Sequence, residues 1–464
     1  MPRKPKRRQL IELTVEKVAF GGKGIAHLDD FVVFVEHSLP GDRVRARIRK
    51  VKKNYAEARP VEILEPSPLR QEAPCEHFGY CGGCRWQNVA YEQQLQFKKQ
   101  HVLESLEHIG KVTPEVIHDP LPAPKIFGYR NKMEFSFTTN RWLPPEELAD
   151  PEIPKGFGLG FHVPGRFDQV MDIHRCWLQS DLLNGILNFT RDFFHRAEIP
   201  AYNLHTHDGV LRFLVLRESF THGQALVNVV TTRPLGDTAK AYARQLVEHF
   251  PAVVGVVNGI NARPAQVAIS EEIIPIYGES TLREKLGDYE FEISPNSFFQ
   301  TNTLQAERLY EVARRYAEVD GRVVWDLYCG AGTISLFVSG KARAVIGFEI
   351  VEEAVADARR NAERNRATNC RFVAGDLKDT LVQHAHTPPE VVICDPPRAG
   401  MHPEVVHTLR RIAPPKIVYV SCNPATMARD LAELTRDYRL VEVQPVDMFP
   451  HTYHIESVGK LVRK

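Results

Sequence analysis

The chain has 464 residues, 43% hydrophobic and 25% charged, with a formal net charge of +1. This is the composition of an ordinary globular protein of two to four domains, and it excludes a uniformly polycationic chain. No run approaches eighteen uninterrupted apolar residues, so no membrane span is expected. Of the eight cysteines, three lie close together and five are scattered, which is not the pattern of a small disulfide scaffold and suits a reducing cytoplasm.

The N-terminus, MPRKPKRRQL, is basic but lacks the apolar core of a signal peptide. Residues 9–67 read as a small β domain of short strands, OB-like and closed. Within it, DRVRARIRKVKK alternates Val44, Ala46 and Ile48 with Arg43, Arg45, Arg47 and Arg49. At strand period one face is apolar and the other carries four guanidiniums, a surface suited to RNA phosphates. The Pro-rich EPSPLRQEAP ends this domain.

Next, APCEHFGYCGGCRWQ gives Cys75, Cys81 and Cys84, with two glycines between the last two thiols. This spacing suits a metal centre, with Cys176 of DIHRCWLQ as the best fourth ligand. Zinc and a 4Fe–4S cluster both take four thiolates, and spacing alone does not separate them. Radical chemistry at an open iron would need C-x3-C-x2-C, which is absent. Residues 89–109 read as one long helix, with Leu95, Val102, Leu106 and Ile109 near helical spacing. The span 121–290 is richer in strands, interrupted by the Pro-rich, acidic surface insertion RWLPPEELADPEIPKG.

From about residue 292 strands and helices alternate strictly, which predicts a doubly wound parallel sheet. Its first strand runs into DLYCGAGTISL, where Gly330 and Gly332 let the backbone turn tightly and approach a ligand. The next strand ends in Glu349, seventeen residues after Gly332, where an acid holds ribose hydroxyls. The third ends at Gly375 and Asp376, and the fourth at Asp395-Pro396-Pro397. The fifth, in KIVYVSCNPATM, ends at Cys422. Four acidic or glycine-rich strand ends and a thiol therefore share one rim. No GxxxxGK[ST] element exists, so a nucleoside triphosphate is not expected.

The D-x-Y-C-G-x-G loop ending at Gly332, the D-P-P-R beginning at Asp395 and the S-C-N-P around Cys422 resemble the RNA 5-methyluridine methyltransferases, over most of the chain. The resemblance implies S-adenosylmethionine as methyl donor. It places donor contacts on Gln300, Tyr328, Thr333 (where the family commonly shows Asn), Glu349, Asp376 and Asp395. It also implies Cys422 as the nucleophile that adds to carbon 6 of uracil, and Glu456, in a PHTxHxE segment, as the base that removes the carbon 5 proton. Two carboxyl-bearing or thiol groups within reach of one ring are what this chemistry demands. Arg398, after the paired prolines, argues against adenine methylation. His451 and His454 receive no catalytic role.

One branch of that family joins a TRAM barrel to C-x5-C-G-G-C and a distant fourth cysteine. The resemblance thus implies a TRAM domain over residues 9–67 and a 4Fe–4S site on Cys75, Cys81, Cys84 and Cys176. That site belongs to a central α+β domain, residues 68–88 and 121–290. A helix over 89–120 packs on the catalytic domain of residues 291–464. Arg130 and Lys132 flank Asn131 ahead of a strand, in a segment that the resemblance implies faces RNA. The implied substrate is 23S ribosomal RNA, with transfer RNA as the alternative. A monomer in the cytoplasm, without DNA or membrane partners, is expected. Two other classes compete: a non-catalytic RNA-binding protein, against which Cys422 and Glu456 speak, and a small-molecule methyltransferase, against which the basic barrel speaks.

Overall fold

The computed structural model describes residues 4–464, so the first three residues of the basic tail lie outside the described residues. Strands Leu10–Val18, Gly24–Leu28, Phe31–Val35, Arg43–Val51 and Tyr55–Glu65 close into a barrel. Their inward positions, among them Leu13, Val15, Val33, Val44, Ala46 and Ile48, form one small core. Closure removes the exposed strand edges that so small a sheet would otherwise present. The arginines of Arg43–Val51 do face outward, but they are not four equal cations. Arg43 pairs with Glu65 at 3.3 Å, and Arg45 with Glu62 at 2.7 Å and Glu12 at 3.5 Å. Arg47 and Arg49 have no ion pair among the described residues.

The central domain is an eight-stranded sheet in the order Glu272–Gly278, Val253–Ile260, Gln224–Thr231, Leu211–Ser219, Lys132–Thr138, Gly158–His162, Val170–Asp172, Arg141–Trp142. Helices Asp181–Arg196 and Asp237–His249, not singled out from the sequence, cover one face; Leu187, Phe194, Tyr242 and Leu246 meet Leu214, Leu216 and Val227 in its core. The insertion after residue 140 contributes only the short strand Arg141–Trp142 and one helical turn, Pro145–Leu148.

The C-terminal sheet corrects the expectation of an all-parallel array. Its order is Cys370–Ala374, Ala344–Glu349, Val323–Leu327, Val391–Cys394, Lys416–Ser421, Glu456–Arg463, Tyr438–Val446, Val116–Ile117. The first five strands are parallel, and Glu456–Arg463 runs antiparallel to both neighbours. Tyr438–Val446 and Glu456–Arg463 are joined by a short connection with no crossover helix, and only an antiparallel pair can be joined that way.

This domain is also discontinuous. Helix Tyr91–Glu104 and the π-helical turn Ser105–Gly110 lay Val102, Leu106 and Val112 into its core, beside Leu431, Leu440 and Val443. The predicted helix is present, but its buried face is Gln94, Lys98, His101 and Val102, and Ile109 is exposed. The hairpin Leu282–Leu286 and Tyr289–Ile293 adds Leu286, Phe291 and Ile293 to the other face of the same sheet. The domain boundary expected at residue 290 falls within this hairpin.

Candidate active site

The parallel strands all end at one rim, three of them where a left-handed or side-chain-capping residue follows, as at Tyr328, Gly375 and Asn423. After Val323–Leu327, Tyr328, Gly330 and Gly332 all have positive φ, and Gly332 caps helix Thr333–Ser339. A β-carbon on Gly332 would lie 3.0 Å from the Phe372 ring and 3.1 Å from Ala358, whereas one on Gly330 would meet open space. Gly330 N–H donates to Glu349 Oε2 at 3.1 Å, and Glu349 Oε1 accepts from the N–H groups of Ile350 and Val351. The turn and the acid at the end of the next strand are thus one unit. Asp376 caps helix Leu377–Gln383 through the Lys378 N–H and pairs with Lys378 Nζ at 3.1 Å, contacts that hold its carboxyl below the ordinary value. Thr333 Oγ1 meets the Tyr310 hydroxyl at 3.2 Å.

Tyr310, on helix Thr303–Ala317, carries no sequence signal of its own. Its hydroxyl lies among Thr333, Gln300 and Asp395, and burial followed by the Asp395 charge pushes it well above the usual phenol range. Gln300 is buried, and its carbonyl accepts from Asn131 Nδ2 at 2.8 Å; the same amide reaches Thr303 Oγ1 at 2.7 Å. Asn131 therefore ties the first central strand to the loop that presents Gln300. Neither role has a local signal, since both depend on partners more than twenty residues away.

The register brings Cys422 and Glu456 together. Val420 pairs with Val458 and Ser421 with Ser457 across the antiparallel ladder. Cys422 follows Ser421 and Glu456 precedes Ser457, so both stand at the end of this ladder, close enough for the Glu456 charge to act on the thiol. The Cys422 thiol is half-buried. Burial first, then the charges of Glu456 and Asp395, push it up to about 11, with Arg398 pulling the other way. Glu456 is buried, which pushes its carboxyl well above the ordinary value; Asp395 adds to the shift and Arg398 opposes it. Asp395 is raised by burial as well. The rim therefore holds a thiol, two protonation-prone carboxyls and one guanidinium. That set can add a sulfur nucleophile, accept a proton and bear a developing negative charge. Burial lowers His451 and His454 to about 4, so both rings are neutral near pH 7.

Cys75, Cys81, Cys84 and Cys176 all line one cavity, with Arg85, Arg130 and Lys132, and none forms a disulfide. Gln87 Nε2 donates to Cys84 Sγ at 3.2 Å and the Gly83 N–H to Cys81 Sγ at 3.4 Å. Burial raises Cys84 to about 12 and Cys176 to about 11, and the nearby Cys75 and Cys81 thiols add to both. The donor set suits a thiolate-bound metal in composition. In spacing it does not suit a single ion, because no group of three or more His, Cys, Asp or Glu stands close enough to hold one among the described residues. Lys132 is not a free cation: it pairs with Glu134 at 2.5 Å, and burial lowers its ammonium. Arg130 is partly buried beside it.

Residues 211–464 match the tRNA (Uracil-5-)-methyltransferase family, and residues 4–61 match the TRAM domain. An uncharacterized RNA methyltransferase of Bacteroides thetaiotaomicron is 42% identical over 95% of this chain and 99% of its own length. One from Chlorobaculum tepidum is 44% identical over 90% of this chain and 89% of its own. The crystal structure of Pyrococcus abyssi tRNA (uracil-54, C5)-methyltransferase in complex with S-adenosyl-L-homocysteine is similar with a TM-score of 0.77 and 31% identity, covering 97% of this chain and all of that one. A closed barrel of TRAM type, a methyltransferase sheet and the family match over more than half the chain agree with one another. The chain belongs to the tRNA (uracil-5)-methyltransferase family and is an S-adenosylmethionine-dependent RNA methyltransferase.

Proposed function

We propose that this enzyme methylates carbon 5 of a uridine in folded RNA through a covalent adduct between Cys422 and carbon 6. The observation that carries the reading is that Cys422 and Glu456 stand together at the end of one antiparallel ladder, next to its Ser421–Ser457 pair, on the rim that also bears Gly330, Glu349 and Asp395. S-adenosylmethionine supplies an electrophilic methyl group. Gln300, Tyr328, Gly330, Gly332, Thr333, Glu349, Asp376 and Asp395 are the residues that would hold it.

The target uridine leaves its stack to reach the rim. The thiol, a poor nucleophile while protonated, gives its proton to Asp395, the second carboxyl that raises it. Sulfur bonds to carbon 6, and the electron pair of the C5–C6 double bond moves onto carbon 5 and the O4 carbonyl. Carbon 5 bonds to the methyl group as the methyl–sulfur bond breaks. Glu456 then takes the proton from carbon 5, the double bond reforms, the Cys422–C6 bond breaks and the departing sulfur takes its proton back from Asp395. A carboxylate whose basicity is raised by burial is suited to that last proton.

Arg47 and Arg49, with Arg43 and Arg45 in a lesser role, would neutralise RNA phosphates, and Arg130 and Lys132 would lie at the mouth of the cysteine cavity. Ribosomal RNA, 23S, is the proposed substrate. Transfer RNA is the second reading, favoured by the similarity to the Pyrococcus abyssi tRNA (uracil-54, C5)-methyltransferase. The convergence of four reduced thiols on one cavity supports a 4Fe–4S cluster on Cys75, Cys81, Cys84 and Cys176. Iron and sulfide analysis of anaerobically purified protein, with zinc as the competing result, tests that part alone.

The reaction is tested by incubating the protein with labelled S-adenosylmethionine and unmodified total RNA, beside Cys422→Ala. Nucleosides are then separated by RNA size class. 5-Methyluridine in ribosomal RNA, absent with the alanine variant, is expected. The same product in transfer RNA keeps the mechanism and replaces the substrate. Methylation that survives Cys422→Ala refutes the adduct.

A further inference from the structure

Glu456 is the first residue of its strand, so the ladder holds it from one side only. On the other side, the connection from Asp447 to Ile455 is suspended from distant segments. Lys98 Nζ, fully buried, meets Asp447 Oδ1 and donates to the Phe449 carbonyl at 3.0 Å. Asn302 Nδ2 donates to the Met448 carbonyl at 2.9 Å, and the Tyr129 hydroxyl to the Pro450 carbonyl at 3.1 Å. His451 sits at the apex with φ +65°, a conformation that disfavours any residue with a β-carbon. Its ring stacks on Phe127 at 4.2 Å. Its carbonyl accepts from the N–H groups of Arg85 and Trp86 at 2.8 and 3.1 Å, directly after Cys84.

One side chain bonds to both the cysteine loop and this apex. Gln94 is fully buried. Its Oε1 accepts from the His451 N–H at 2.8 Å, and its Nε2 donates to the carbonyls of Trp86 and Val89 at 2.9 Å each and meets His451 Nδ1 at 3.1 Å. We propose that Gln94 is a positioning residue for Glu456: its amide holds the left-handed turn at His451, five residues upstream, and so sets where the carboxylate stands relative to carbon 5. This rests on the reading that Glu456 removes the carbon 5 proton.

The consequence is selective. Removing the amide leaves the buried His451 N–H and the Val89 carbonyl unpaired, while the Trp86 carbonyl keeps the Val89 N–H, so the turn must move to recover partners. Cys422 follows a different strand, Lys416–Ser421, which Gln94 does not touch. Adduct formation and methyl transfer are therefore retained, while proton removal and release slow. A displacement of about 1 Å is worth about a hundredfold in such a step.

The test is a single-turnover reaction of the full chain with labelled S-adenosylmethionine and the RNA that the wild-type enzyme methylates, quenched in detergent. Denaturant-stable protein–RNA complex and free methylated RNA are followed against time for wild type, Gln94→Met and Gln94→Asn. The asparagine variant keeps an amide but withdraws it from His451 by one methylene, and serves if the methionine variant does not fold. Methyl transfer within about threefold of wild type, with release slowed about 10- to 100-fold and labelled complex accumulating, is expected. Release at the wild-type rate, or methyl transfer and release falling together, overturns the assignment. If the wild type itself leaves carbon 5 unmethylated, the underlying reading fails instead, and the Gln94 assignment with it.

Discussion

The two glycines of the Tyr328–Gly332 turn are expected to fail in different ways when each is changed to alanine. Gly332 has φ +81°, so a β-carbon there costs about 1–2 kcal/mol in backbone strain. It would also stand 3.0 Å from the Phe372 ring and 3.1 Å from the Ala358 β-carbon. Both neighbours are buried, and Ala358 is on a helix, so neither yields freely. That overpacking adds about 1 kcal/mol at the mild end of its range, for a total of about 2–3 kcal/mol lost from the C-terminal domain. Gly330 has φ +53° and open space where its β-carbon would go. Its strain alone costs about 1 kcal/mol, but the new methyl group projects into the space a cofactor would approach. Thermal unfolding and titration with S-adenosyl-L-homocysteine separate the two effects. Gly332→Ala should lower stability more than Gly330→Ala, and Gly330→Ala should lose more affinity per kcal/mol of stability lost. Equal destabilisation by the two variants, or full affinity retained in Gly330→Ala, would refute the reasoning.

Three further outcomes are expected. At pH 7, four units below its raised pKa of about 11, roughly one Cys422 thiol in ten thousand is ionised; iodoacetamide labelling of Cys422, read by peptide mass, should rise about tenfold per pH unit from 7 to 10, and a plateau below pH 9 would contradict the buried-thiol account. Glu318 is held down to about 2 by Lys416 and then Lys460. A depressed carboxylate contributes stability that is complete above its ordinary value near 4.5 and is lost as pH falls through 2, and because the group is half-exposed its share is only about 1 kcal/mol. Glu318→Gln should therefore destabilise at pH 7 and become neutral near pH 2, measured by denaturant unfolding; an equal effect at both pH values would count against it. Arg47→Gln should reduce the slope of log affinity for RNA against log salt by about 0.7–0.9, and Arg45→Gln by less, because Glu62 and Glu12 already neutralise Arg45.

The five parallel strands were legible because each is a short apolar run closed by glycine, acid or cysteine, and buried parallel strands need nothing subtler. The rim order followed from strand order alone. The antiparallel placement of Glu456–Arg463 was not legible, although it is what brings Cys422 and Glu456 to the end of one ladder; the apolar pattern of ESVGKLVR is the same in either direction. The stripe of four arginines was read on the correct face, but Glu12, Glu62 and Glu65 reach it from neighbouring strands, which no window on one strand reveals. Helix Tyr91–Glu104 was found from its leucines and valines, yet Gln94, Lys98 and His101 bury their polar groups against Trp86, Asp447 and Val18. Polar burial of that kind is satisfied by remote partners and leaves no periodic trace.

The discontinuity of the C-terminal domain has a consequence for synthesis. Lys98 is 349 residues ahead of Asp447 in the chain. At about 5–20 residues per second, the ribosome finishes the partner of that helix roughly 20 s to a minute after the helix itself is made. Through that interval the face of Tyr91–Glu104 that ends up buried is exposed to water. An ordinary leucine stripe would be a sticky surface for so long. A face carrying Gln94, Lys98 and His101 is hydrated while it waits; Trp86, Val89 and Val18 meet part of it early, and Lys98 and the Gln94 oxygen find their partners only when residues 447–451 arrive. The polar interior of this helix thus reconciles an early segment with a late partner.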